Sequence, residues 1–295
     1  EVLPPLFDNI FAAIEKWMRE LLTGMVESNM STMFTDVNEK TSEIAAQVGR
    51  TPQNWNSSVF SMIQNLSESV VVPIAGIIIT LVLCYELISM LTERNNLHDV
   101  DTWMFFKYFV KAWVAIYLVS NTFTITMAVF DVGQSVVNSA SGIINGETAI
   151  DVSSLSMQMQ AAMATMEIGE LVVLALETFL VSFCMKIMSV VITVIVYGRM
   201  IEIYLYTSLA PIPFATMSNR EWGHVGTNYF RGLFALAFQA FLMMVCVAIY
   251  AALISSVRIS SNMHSALIGV AAYTVILCFS LMKTGSLSKQ IFGSH

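Results

Sequence analysis

A long apolar run at residues 171–197 constrains the fold of this chain more than any other stretch. Its only charges are Glu177 and Lys186. At about 1.5 Å per residue, a helix of this length exceeds the roughly 30 Å hydrocarbon layer of a bilayer, so the run can cross with some tilt. A second apolar run follows and stops at 210–213. That run is too short and too interrupted to predict a further crossing.

Composition extends the membrane prediction to the whole chain. Of the 295 residues, 56% are hydrophobic and 12% are charged, whereas a soluble domain carries about 25% charged residues. Alternating segments of about ten residues, which are typical of outer-membrane barrels, are too few. The predicted fold class is therefore all-α, a polytopic helical membrane protein.

Apolar runs predict about five transmembrane helices, at 70–92, 103–130, 171–197, 233–257 and 266–282. We divide the chain into residues 1–69 and a transmembrane bundle at 70–295. Apolar residues at helical spacing predict amphipathic helices in the first region. That region is interpreted either as a collar on its own bundle or as a docking surface for another subunit. No signal peptide is visible, so we expect the first span to direct insertion.

The distribution of charge predicts the topology. Residues 131–170 form a predicted loop with five acidic residues and no Lys or Arg. Cytoplasmic loops accumulate Lys and Arg, so this loop and residues 1–69 should lie outside and the C-terminus in the cytoplasm. Segment 199–232 is then cytoplasmic or re-entrant. A sixth span at 200–217 is the alternative, but it would put four later cations outside.

Charges inside predicted spans need a partner or water, because a charge in lipid costs at least about 2.5–3.5 kcal/mol. Glu86 and Lys111 lie on adjacent spans and are predicted to pair, while Lys107 can extend to the inner surface. Nine residues separate Glu177 from Lys186, so the two point to opposite helix faces. The charge of Lys186 must then be compensated by Glu86, by an acidic group of another subunit or by water in a polar conduit. Two hypotheses remain, a structural ion pair and a polar conduit that Lys186 helps to line.

No sequence motif indicates catalysis. Nucleotide-binding, metalloprotease and hydrolase motifs are missing, and the four His residues lie far apart in the chain. The four Cys residues stand singly inside apolar runs, where a small apolar role is typical. We therefore expect no enzyme, no metal and no cofactor.

Seven short stretches carry a likeness that extends over nearly the whole chain. They are DVN at 36–38, IAAQVG at 44–49, VPIAG at 72–76, NNLHD at 95–99, RMIEIY at 199–204, APIP at 210–213 and KTGS at 283–286. In their order and spacing they resemble TrbL-type polytopic membrane subunits of type IV secretion and conjugation systems, the sixth VirB component. The versions on conjugative elements of Gram-positive bacteria are the most similar.

This resemblance implies an oligomeric subunit of a translocation channel in the bacterial cell membrane. Such a subunit works with other type IV secretion subunits, including an ATPase, and passes single-stranded DNA with its attached relaxase, or protein. The residues alone leave two alternatives, a small-solute transporter or ion channel and a purely scaffolding subunit. The segment after the third span is the expected contact for ATPase or substrate, through Arg199, Glu202, Pro211, Pro213, Arg220 and Arg231.

Overall fold

The computed structural model describes residues 3–92, 102–144, 152–257 and 263–294, and every regular element in these ranges is a helix. The helices are α1 (Leu3–Val48), α2 (Pro52–Trp55), α3 (Ser57–Leu66), α4 (Val72–Thr92), α5 (Thr102–Ser120), α6 (Thr122–Ile144), α7 (Val152–Met163), α8 (Ile168–Ser208), α9 (Pro211–Thr216), α10 (Gly223–Ser255) and α11 (Met263–Phe292). A π-helical turn, Ser67–Val71, joins α3 to α4. The stretch NNLHD at 95–99 lies outside the described residues.

Within these ranges, five helical segments are long and apolar enough to cross a membrane: Ser57–Thr92, Thr102–Ser120, Ile168–Ser208, Gly223–Ser255 and Met263–Phe292. They confirm the all-α polytopic fold and contain at least part of each predicted span. Ser57–Thr92 combines α3, the π-turn and α4, so this segment begins before the predicted span.

The predicted second span, 103–130, is two helices rather than one. α5 ends at Ser120, and α6 continues from Thr122 through 131–144, where a loop was expected. The apolar pattern runs on across the break, which is why sequence periodicity missed it. Local hydrogen bonds mark the break: Thr122 and Thr126 donate their hydroxyls to carbonyls three and four residues earlier, an arrangement that bends helices.

The segment predicted over 199–232 also has regular structure. α8 continues without interruption to Ser208, so Arg199 and Glu202 lie on the same helix as the apolar run. α9 begins at Pro211, where a proline is tolerated because the first helical N–H has no intrahelical partner. α10 begins at Gly223, before the predicted fourth span.

The chain forms two compact units. Unit 1 comprises residues 1–46, 141–195 and 244–282, and unit 2 comprises 47–140, 196–243 and 283–295. In unit 1, one face of α1 is buried through apolar side chains at helical spacing: Val26, Met30, Met33, Phe34, Val37 and Ile44. These positions are the amphipathic pattern that the sequence predicts.

Two apolar clusters form the core of unit 2. In the first, Phe214 and Ala215 of α9 pack against α4 and α5, through Ala75, Ile79, Leu83, Ala115 and Val119. In the second, α6, α8 and α10 meet through Val129, Phe130, Met200, Ile203, Leu233, Leu236 and Ala237. Gly133 allows the close approach of α6 to α10, because a Cβ there would lie 2.9 Å from the carbonyl oxygen of Ala237.

Candidate functional site

A polar cluster in unit 2 centres on the carboxylate of Glu86, near the end of α4. Glu86 is buried, and Lys111 of α5 donates a hydrogen bond to its Oε1 atom. The Nδ2 group of Asn219 donates to Oε2 at 3.3 Å. The predicted Glu86–Lys111 pair is confirmed, and Asn219 completes it. A buried carboxylate with two donors is satisfied on both oxygens.

Asn219 also organises the short segment between α9 and α10. Its Oδ1 atom accepts the backbone N–H groups of Glu221 at 2.7 Å and of Trp222 at 3.1 Å. The Tyr85 hydroxyl donates to Glu221 at 2.9 Å, and its ring stacks on Trp222 with centroids 5.4 Å apart. A polar cavity of about 80 Å³ lies here, lined by Tyr85, Glu86, Ser89, Met90, Asn219, Arg220 and Glu221. This arrangement docks the segment onto the end of α4.

Lys107 is exposed on α5, one turn before Lys111. Its Nζ atom lies 5.6 Å from the ring centroid of Trp103, which is within the range of a cation–π contact. No ion pair to Lys107 occurs in the described ranges. Its predicted extension to the inner membrane surface stays a prediction.

Arg199 is buried in the α8 part of unit 2, between the apolar faces of α8 and α10. Its exposed fraction is 7%, and its guanidinium donates to the carbonyl of Leu236 at 3.5 Å. Its Nε atom has no hydrogen-bond partner in the part of the chain that the structure describes. Glu202, one turn away, pairs instead with Lys289 at 3.0 Å. Arg199 is therefore not presented at a surface in this conformation.

The other residues that the sequence predicts to contact a partner differ in their exposure to solvent. Pro211 is buried, as are Phe214 and Ala215 of the same helix, whereas Pro213 is partly buried. Arg220 and Arg231 are exposed. Of the six residues, only these two arginines and the half-exposed Glu202 offer a charged group at the surface of the monomer.

Unit 1 contains a carboxylate–imidazole pair that the sequence reasoning missed. Nδ1 of His264, in the first turn of α11, contacts Oε2 of Glu177 on α8, and both side chains are about one-third exposed. The signal was available in the sequence. Under the predicted topology, the third and fifth spans both begin on the outer side, so charges near their starts should meet.

Lys186 lies on the exposed surface of α8, and the described residues offer it neither an ion pair nor a hydrogen bond. It is therefore not neutralised by Glu86, which is engaged by Lys111. Ser189 and Thr193 follow at the i+3 and i+7 positions, on the same helix face. Thr193 accepts a hydrogen bond from Lys40 of α1 at 3.2 Å.

We predict that Arg199→Met leaves the protein folded and raises its free energy of unfolding by about 1–3 kcal/mol, because a buried donor without a partner is removed. Methionine has the length to fill the same space. Thermal unfolding of the purified protein in detergent measures the change. Arg231→Met, at an exposed position, is the matched control and should change the midpoint little. A lower midpoint for Arg199→Met than for Arg231→Met would contradict this account of Arg199.

Comparison with known families identifies the chain more closely than any single site does. A family model described as "TrbL/VirB6 plasmid conjugal transfer like protein" matches residues 37–211, more than half of the chain. The match runs from α1 through α8 to Pro211. No curated protein and no solved structure gives a match. The match confirms the family resemblance. This multi-pass membrane protein therefore belongs to the TrbL/VirB6 conjugal transfer family and is a subunit of a type IV secretion system.

Proposed function

We propose that the protein is an oligomeric channel or platform subunit that helps to pass single-stranded DNA with its relaxase, or a protein substrate, across the bacterial cytoplasmic membrane. The observation that supports this is Lys186, an exposed cation within an apolar span and without an ion pair in the described residues. Lipid is an unfavourable environment for such a charge. Water in a conduit, or an acidic group of another subunit, provides a favourable one.

The distribution of charge supports an outside N-terminus and a cytoplasmic C-terminus. The predicted loop at 131–170 holds five acidic residues and no Lys or Arg, whereas Arg199, Arg220, Arg231, Lys283 and Lys289 follow the third and fifth predicted spans. Cations concentrate on the cytoplasmic side of membrane proteins. The exposed Arg220 and Arg231 would then be available to an ATPase or to phosphate groups, which basic side chains attract. In this proposal the subunit is not an enzyme, and the ATPase supplies the energy.

The direct test is complementation of a conjugative element from which the gene has been deleted. We expect DNA transfer to be lost on deletion and restored by the wild-type protein, with solute uptake and membrane potential unchanged. Lys186→Met should insert at wild-type levels yet lower transfer by at least about tenfold, the equivalent of 1.4 kcal/mol. Lys16→Met, an exposed lysine of α1, is the control and should transfer normally.

Two outcomes would contradict the proposal. If DNA transfer is undiminished after deletion of the gene, the protein has no role in conjugation. Altered solute uptake or ion conductance in cells that transfer DNA normally would favour a transporter or ion channel instead.

A further inference from the structure

Helix α1 lies beside α8 and runs in the same direction, within unit 1. Arg19 donates to the carbonyl of Met166 at 2.8 Å, and Asn29 donates to the Thr178 hydroxyl at 3.4 Å. Lys40 donates to the Thr193 hydroxyl at 3.2 Å. The residue numbers of the three pairs rise together on both helices, so α1 and α8 are parallel. These contacts follow the apolar run of α8 over most of its length, so α1 shares its depth in the membrane.

The turn after α1 is held at the other end of α8, by contacts within unit 2. The Tyr204 hydroxyl donates to the carbonyl of Pro52 at 2.6 Å. The Trp55 ring packs against Tyr197 and Tyr204, with centroids 5.4 and 5.9 Å apart. Residues 49–56 are therefore beside the C-terminal part of α8, whereas Arg19 is beside its N-terminal end.

The outer face of α1 is polar, unlike that of α8. From residue 26 to residue 48, no large apolar side chain of α1 is exposed. Its exposed positions recur at helical spacing and carry small or polar residues: Ser28, Ser31, Thr35, Glu39, Ser42 and Ala46. The exposed positions of α8 at the same depth are mainly apolar, including Val172, Leu176, Phe179, Phe183, Val190 and Val194. The exposed face of α8 is apolar enough to contact lipid acyl chains, whereas the exposed face of α1 is too polar for such a contact.

Polar groups of α1 meet polar groups of the apolar helices inside unit 1. A cavity of about 20 Å³ is lined by Asp36, Lys40 and Thr41 of α1 together with Ser189, Tyr250 and Thr274, and also by the apolar side chains of Val37, Met185, Ile192 and Leu277. The Tyr250 and Thr274 hydroxyls hydrogen-bond to each other at 2.9 Å. The α1 side of unit 1 therefore carries polar and charged side chains within the span, although α8, α10 and α11 are apolar helices.

We infer that α1 lies within the membrane beside α8, as an additional polar helix, and that its Ser31–Thr35–Ser42 face lines the aqueous conduit. The inference rests on the proposed channel function. It replaces the expectation that all the helices of 1–69 lie outside the membrane.

Two cysteine measurements test the inference in a variant whose four native cysteines are replaced. First, the double variant Asn29→Cys/Thr178→Cys should form an intramolecular disulfide in membranes. The register-shifted pair Asn29→Cys/Thr193→Cys, which uses the same helices, should not. Absence of the first disulfide in inserted protein would overturn the placement of α1 beside α8.

Second, Thr35→Cys should react with a charged methanethiosulfonate at least about tenfold faster than Leu180→Cys, because the reactive thiolate forms in water. Leu180 is an exposed apolar residue of α8 that lies about 120° around the helix from Lys186. Equal rates at Thr35 and Leu180 would overturn the inference. Neither of these readouts requires DNA transfer, so failure of the complementation experiment would be a separate result.

Discussion

Replacement of Lys111 by methionine is expected to lower the free energy of unfolding by about 3 kcal/mol, because it leaves a buried carboxylate without its cation. Glu86 is 8% exposed, and Asn219 would remain as a single neutral donor. Urea unfolding of the detergent-solubilised protein, followed by Trp fluorescence, measures the loss. We also expect less folded protein in membranes.

Lys107→Met is the matched control, since Lys107 is an exposed lysine on the same helix without an ion pair in the described residues. It should change the unfolding free energy little. The double variant Glu86→Met/Lys111→Met should recover most of the loss, because an apolar pair replaces a buried ion pair at little cost. Equal effects of Lys107→Met and Lys111→Met would contradict this account of the cluster.

Gly226→Ala is expected to destabilise the contact between α9 and α10 by about 1–3 kcal/mol, through overpacking. A Cβ at Gly226 would lie 2.5 Å from the carbonyl oxygen of Pro213 and 2.1 Å from Cγ of Met217. The methionine can move, but the backbone carbonyl cannot move without displacing α9. Because α9 packs against α4 and α5, the thermal unfolding midpoint of the whole protein should fall.

Gly198→Ala is the control for this substitution. A Cβ at Gly198 meets no atom within 4 Å, and alanine in a helix interior is favoured over glycine by roughly 0.5–1 kcal/mol. The thermal unfolding midpoint of Gly198→Ala should equal or exceed that of the wild-type protein. If Gly226→Ala unfolds at the same temperature as Gly198→Ala, the close packing of α9 against the start of α10 is incorrect.

The sequence predicts most of what depends on hydrophobicity along the chain. Five apolar runs predict five membrane-spanning helices, and the part of the chain that the structure describes contains five helical segments long and apolar enough to span. The Glu86–Lys111 pair was predictable because both charges lie at the same depth on adjacent spans. In each case the deciding quantity, a run length or a position within a span, can be read from the sequence.

Features that depend on tertiary contact were not predictable in this way. Asn219 binds Glu86 from a segment far away in the chain, and no local pattern marks it. The break at Asn121 interrupts no apolar period. The burial of Arg199 follows from packing of α10 on α8, whereas an arginine after an apolar run suggests a surface position. The charged α1 is not a span by hydropathy, and its place beside α8 is visible only through contacts.

The central claim is that the polar face of α1 and the adjoining part of α8 contact the transferred molecule. Site-specific photocrosslinking during conjugation tests it most directly, with the photoreactive residue at Thr35 or Lys186 and, as control, at Leu180, an exposed apolar residue of α8 about 120° around the helix from Lys186. We expect transferring single-stranded DNA to be captured at Thr35 and Lys186 and not at Leu180. Capture at Leu180 alone, or at none of the three in cells that transfer DNA, would contradict the claim and favour a scaffolding subunit.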